Sequence, residues 1–300
     1  MTGARAFRPA TVAQIHAGLK ARAPVFLWLS QPNGARLIPM TDHAHPDALF
    51  RDLEIALDTD AFEPAFQPVA HLSDGAIAGF ESLARWRRAP EVLIEPAHFM
   101  EEAMARDLVG RISQRIMRVA CATMARWRAD GVDGVFLSVN VAGRDLERPD
   151  FVDEVFGVIA AAGIPATSIK IEVTEQQVLH DPTLVGRQLA RLREAGVKIL
   201  FDDFGSGFSS FTWLTRLPAD ALKFDQTIVG PITERGAHFK IISAMIALAH
   251  DLGLETIAEG VETEAQRDML AGLGCDFAQG HLYARALGEA GARAMIGRKS

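Results

Sequence analysis

From Phe62 onward the chain alternates short apolar runs with helical patterns, and this alternation limits the fold more than any other feature. Runs at 65–69, 77–83, 135–140, 169–175, 197–201, 221–225, 255–259 and 277–280 read as strands. Between them lie amphipathic stretches. In 108–129, Leu108, Ile112, Ile116 and Val119 make one inner stripe. Residues 151–162 form a helix closed by Gly163, and Asp181-Pro182 opens another that Gly196 closes. Helices are also expected at 47–57, 237–252, 264–271 and 288–296, with a short one just before 221. Strand–helix units of this length imply a parallel sheet. About eight of them suggest closure into a TIM-like (β/α)8 barrel, which takes roughly 250 residues. An open doubly wound sheet is the alternative, but no G-x-G-x-x-G or G-x-x-x-x-G-K-[ST] follows the first strand.

Residues 1–46 look different. A short helix at 12–21 and a hairpin around Pro32-Asn33-Gly34 suggest a small accessory segment. The barrel is expected to occupy 47–300. The chain is 49% apolar and 23% charged, ordinary globular usage. Its net charge of −7 argues against a general binder of polymeric nucleic acid or of membrane surfaces. Cys121 and Cys275 have no metal-ligand spacing and form no disulfide framework. The early apolar stretch 24–29 is too short for a membrane span. A cytoplasmic location is expected, and a piece of a larger membrane-anchored parent would read the same way.

Polar residues recur where apolar runs stop: Glu81, Asn140, Glu172, Asp202 with Asp203, Lys223, Glu259 and Gln279. In a β/α barrel those strand ends converge on one face. Each residue alone has a plainer reading: Asn140 as a turn cap, Glu172 facing solvent, Lys223 snorkelling, the Asp pair capping the next turn. Seven strands ending this way favour a shared site. Carboxylates plus an amide oxygen are hard donors, suited to Mg or Mn rather than zinc. Alternation along a strand points Asp202 and Asp203 to opposite sides, so a bend is needed if both are to reach a cation. Five carboxylates exceed the needs of one ion. Two ions about 3.5–4 Å apart can clamp the oxygens of a phosphoryl displacement. Nearby cations would lower the pKa of Lys223 and let it act as a base. Arg85 can pair with a phosphate, whereas Arg87 and Arg88 read as a solvated basic edge.

The segment Glu81-Ser82-Leu83-Ala84-Arg85-Trp86 resembles the E-A-L-x-R-W signature of the EAL-domain family of cyclic di-GMP phosphodiesterases. Gln67-Pro68, Asn140, Glu172-Val173-Thr174-Glu175, Asp202-Asp203-Phe204-Gly205, Lys223-Phe224-Asp225, Glu259-Gly260-Val261-Glu262 and Gln279-Gly280 resemble its other motifs, in order. The likeness covers about 53–287. It implies a TIM-like barrel with one antiparallel strand, which suits the early turn at Ser73-Asp74-Gly75. It also implies hydrolysis of cyclic di-GMP to linear 5'-pGpG with two Mg or Mn ions. Glu81, Asn140, Glu172, Asp202, Asp203 and Glu259 would hold the ions. Lys223, Asp203 and Glu259 would be catalytic, and Gln67, Leu83, Arg85 and Gln279 would lie on substrate. Glu175 and Glu262 would stabilise loops, and the loop after Asp203 would couple metal binding to homodimer formation. An upstream sensory partner is compatible with such a protein.

The chain departs from the family pattern in places. Ser82 replaces the usual alanine, Ser206 and Phe208 stand for Thr and Tyr, Phe224 for Ile, and Ala286 for Pro. Segments 89–93 and 104–108 are also atypical. These bear on substrate affinity and regulation rather than on the metal ligands. A non-catalytic cyclic di-GMP receptor is the main alternative, but no ligand is missing. A partner-binding protein that has lost the nucleotide would not need the intact set, and a sugar-cleaving barrel needs only two carboxyls.

Overall fold

The computed structural model describes residues 46–90, 92–174, 177, 181–205, 217–234 and 236–297. The expected helix at 12–21, the hairpin near Asn33 and the short helix before 221 lie outside the described residues, as does Glu175.

Helix α1 (Pro46–Asp58) comes first, followed by the antiparallel strands β1 (Phe62–His71), β2 (Ile77–Ala89) and β3 (Val92–Ile94). Helices α2 (Met100–Ala105) and α3 (Val109–Ala129) lead to β4 (Phe136–Asn140). Then come α4 (Gly143–Leu146), α5 (Phe151–Ala162), β5 (Ile169–Thr174), α6 (Pro182–Glu194), β6 (Lys198–Phe204) and β7 (Ala221–Phe224). The described chain ends with α7 (Gln226–Val229), α8 (Ala237–Asp251), β8 (Glu255–Ala258), α9 (Glu264–Gly272), β9 (Phe277–Gln279) and α10 (Glu289–Met295). The sheet runs β1-β9-β8-β7-β6-β5-β4-β2, and β1 pairs back onto β2 to close an eight-stranded barrel. Among the described strands only β1 runs against its barrel neighbours; β3 hangs on the far end of β2.

Helix boundaries follow local chemistry. Asp181 accepts the Leu184 N–H ahead of Pro182, and Thr263 with Gln266 forms a capping box for α9. Gly163 takes the left-handed conformation that ends α5. On α3, Ile112, Ile116, Ala120, Met124 and Trp127 are buried at helical spacing, and Trp127 meets Phe66 and Phe80 on the barrel wall.

The strand period of two explains how the mouth is built. Val69, Phe136, Leu200, Ala221, Ile257 and Phe277 form one buried cluster inside the barrel. Two residues further on along their strands stand Asp202, Lys223, Glu259 and Gln279, and Asn140 follows Phe136 by four. In the reversed β1 the order inverts, so Gln67 precedes Val69 and lies opposite Glu81. Below this layer Lys170 sits 4.0 Å over the Phe136 ring and 5.4 Å from Phe277, with Glu255 as its ion-pair partner. Among the described residues no helix is long and apolar enough to cross a membrane.

Candidate active site

Lys223 stands at the centre of the barrel mouth, 1% exposed. Its Nζ lies 2.6 Å from Glu172, 2.7 Å from Glu259, and 3.3 Å from both Glu81 and Asp202. Asn140 Nδ2 donates to Glu81 Oε1 at 2.9 Å and to Glu172 Oε2 at 3.4 Å. Gln279 Nε2 donates to Glu81 Oε2 at 2.7 Å. Residues far apart in sequence thus converge into one polar cluster at the strand ends.

Asp202 and Asp203 join this cluster through a break in strand geometry. The β6–β7 register shifts between Phe201 and Phe204, and Asp203 has φ of +56°. Aspartate tolerates that left-handed conformation better than most residues. The Asp203 N–H donates to Asp202 Oδ1 at 2.9 Å, which locks the kink. This bulge turns a side chain that regular alternation would send outward. Asp202, Asp203 and Glu259 each offer an oxygen within 4.8 Å of the others.

Five carboxylates around one ammonium cannot all ionise freely. Burial, the Glu81 charge and the other neighbours push Glu172 up to about 8, against the pull of Lys223. Burial and the adjoining Asp202 raise Asp203 to about 7. Burial likewise raises Asp202 and, more strongly, Glu259. Glu81 is the exception. Burial works against its charge, but Lys223 and the amides of Gln279 and Asn140 outweigh that and hold it below the usual value.

The lowering expected for Lys223 depends on cations beside it, and the protein groups alone act the other way. Burial opposes its charge, but Asp202, Glu172, Glu259 and Glu81 overcome burial and raise it well above 10.5. The nearest protein charges are carboxylates, and they favour the protonated form.

The donor set fits a small divalent cation. Among the described residues, the side-chain donors here are oxygens of carboxylate or amide type, with no His or Cys in the set. Glu172 Oε1 is buried and has no hydrogen-bond partner among the described residues. An orphaned carboxylate oxygen in such a place calls for a positive partner. Glu81, Asn140, Glu172, Asp202, Asp203 and Glu259 would hold such ions.

The remaining expected site residues lie around this cluster. Gln67 and Leu83 are buried, and Leu83 packs with Ala65 and Ala286. Gln279, expected on substrate, is itself buried and spends its amide on Glu81. Arg85 is fully buried on the same side of β2 as Glu81, donates to Ala84 O at 2.8 Å and lies 3.9 Å from Glu95. Glu95 was not anticipated from sequence. Its one signal is an acid closing the apolar run Val92-Leu93-Ile94, and burial raises its pKa despite Arg85. Glu262 is exposed, 4.0 Å from His281 Nδ1, with its N–H on Gln266 Oε1. Beside the mouth opens a cleft of about 780 Å³, with Ser82, Met104, Arg111, Asn140, Asp145 and Thr174 in its walls. That volume suits a small organic ligand.

Fold and site together define a β/α barrel with one reversed strand and an acidic, cation-ready mouth. Residues 51–286 match the model of the EAL domain, and the chain belongs to that family. Cyclic di-GMP phosphodiesterase NbdA of Pseudomonas aeruginosa is 36% identical over 236 residues, 79% of this chain and 30% of that protein. An uncharacterised protein of Mycobacterium bovis is 35% identical over 244 residues, 80% of each chain. The solved PaMucR phosphodiesterase in complex with c-di-GMP superposes with a TM-score of 0.76 at 32% identity, covering 81% of this chain and 99% of that one. The chain spans about a third of the length of the first curated relatives it matches.

Proposed function

We propose that this chain is a metal-dependent phosphodiesterase that opens one phosphodiester of cyclic di-GMP to give linear pGpG. The observation that carries this reading is the convergence of five carboxylates, Asn140 and Lys223 at one barrel mouth. The descriptions of two relatives support it: NbdA is a cyclic di-GMP phosphodiesterase, and PaMucR is a phosphodiesterase solved in complex with c-di-GMP.

Two Mg or Mn ions, held by Glu81, Asn140, Glu172, Asp202, Asp203 and Glu259, would supply Lewis acidity toward the phosphate and a water of lowered pKa. The chain's own groups do the rest. Lys223 holds a proton at Nζ beside Asp202 and Glu259, where it can donate to a water or a phosphoryl oxygen. Asn140 and Gln279 fix Glu81 from two sides, so its carboxylate is oriented before substrate arrives. Leu83 gives an apolar wall and the neighbouring cleft gives room for a base. Arg85 would meet a phosphate oxygen, exchanging the Ala84 carbonyl for it. A homodimer, with the loop after Asp203 linking the site to it, belongs to the same proposal.

Incubation with cyclic di-GMP and Mn²⁺ or Mg²⁺, with and without chelator, tests the reading by product chromatography. The expected result is a linear dinucleotide that forms only when metal is free. Tight binding with no product in either metal would instead make the chain a receptor.

A further inference from the structure

We propose that Gln177 is a positioning residue that keeps two of the expected metal ligands, Asn140 and Glu172, in register. The inference rests on the functional reading above and concerns how the ligands are aligned. The parallel ladder between β4 and β5 has its last paired residues at Asn140 and Glu172 themselves. Between these two strands the ladder stops at the ligands, although β5 itself runs on to Thr174 against Asp202 of β6. Beyond the Asn140–Glu172 rung the Val141 N–H reaches Glu172 O at a long 3.4 Å.

Gln177 supplies the missing rung. Its Oε1 accepts the Thr174 N–H at 3.0 Å, and its Nε2 donates to Val141 O at 3.0 Å. The two contacted residues lie one position past Asn140 and two past Glu172. Only a carboxamide offers an acceptor to one strand and a donor to the next, and the backbone groups it meets allow no flipped assignment. Gly143 leaves space for the side chain: a Cβ there would stand 3.2 Å from Gln177 Cβ and Cγ. Asn140 in turn touches both Glu81 and Glu172. A shift of the β4 end relative to β5 therefore disturbs the contacts that Asn140 makes with both Glu81 and Glu172. Partners of this kind typically change metal affinity by about 10–100-fold when removed.

Gln177→Leu removes both hydrogen bonds at similar size, and Gln177→Glu keeps the acceptor but loses the donor. Mn²⁺ binding to the full chain, measured by calorimetry, is the primary readout, with kcat and KM for cyclic di-GMP as the second. Q177L is expected to bind Mn²⁺ about tenfold more weakly. Its KM should stay within about twofold of the parent, and excess Mn²⁺ should restore most of kcat. Q177E should fall between the two, and it carries the comparison if Q177L does not fold. Mn²⁺ affinity equal to the parent's in a folded variant would overturn the inference, even if its melting temperature fell. In that case a parent that binds Mn²⁺ and cleaves cyclic di-GMP leaves the functional reading standing. A parent that binds no Mn²⁺ overturns both.

Discussion

Lys223 is the residue on which the mouth depends. An ammonium surrounded by four carboxylates within 3.3 Å is both their counter-ion and their spacer. Buried ion pairs contribute little net stability, but removing one partner strands the others. Lys223→Ala should therefore lower kcat by about 10²–10⁴-fold, the range of a lost proton donor, while KM changes far less. Steady-state kinetics at saturating Mn²⁺ checks this, and an unchanged kcat would remove Lys223 from the chemistry. Asp202→Asn keeps shape and hydrogen-bonding capacity but loses a charge where hard cations need one. Metal-dependent hydrolysis should fall by more than about a hundredfold with the far-UV spectrum unchanged. The residue types of this site were readable because polar groups interrupt apolar runs at predictable strand ends. The bulge at Asp203 was not readable, because its sign of φ depends on how β6 meets β7. Nor was the Gln279–Glu81 bond, which joins residues 198 positions apart.

At the scale of elements, Asp220 shows how the strands hold their order. It precedes β7 and reaches back to the start of β6, accepting the Ile199 N–H at 3.0 Å, Lys198 Nζ at 3.0 Å and Arg193 Nε at 3.1 Å. Burial alone would raise its pKa, yet the Ile199 N–H and the two cations outweigh burial and lower it. A depressed folded pKa makes the Asp220 contribution full above the unfolded value of about 3.9 and loses it as pH falls through the lower folded value. Asp220→Asn should cost about 1–3 kcal/mol at pH 7 by urea unfolding, and the penalty should shrink below about pH 4. A penalty constant across that range would show that charge is not the cause. Long periodic elements such as α3 and α8 matched expectation to within a residue or so at their ends, because many residues repeat the same pattern. Four short pieces, β3, α2, α4 and α7, were not anticipated. Each spans three to six residues, too few for a period to emerge.

The whole molecule joins these levels, and two expectations belong to it. Leu53 of α1 is fully buried in the main core, so the barrel unit begins at or before this helix. A chain starting at residue 46 should keep the parent's melting temperature to within about 2 °C, whereas one starting at 59 should lose several kcal/mol with the Leu53 and Ala56 contacts. Thermal unfolding of both truncations decides whether the expected boundary near 46 is a domain edge. The second expectation concerns the closed barrel as a container for charge. Each of the eight barrel strands delivers a charged or amide side chain to the same end, Gln67 from the reversed β1 among them, and the like charges of the carboxylates oppose closure of the ring that brings them together. Whatever binds the folded mouth and not the unfolded chain stabilises the whole barrel. Mn²⁺ at about 100 times its dissociation constant should add about 2.7 kcal/mol, or about 5–10 °C in melting temperature for a chain of this size. Chelator should return the transition to its metal-free position. Asp202→Asn should show almost none of the shift, because the ring of donors is incomplete although the barrel still closes. A metal-induced shift of equal size in parent and D202N would place the cation elsewhere on the molecule and separate the acidic mouth from the chemistry.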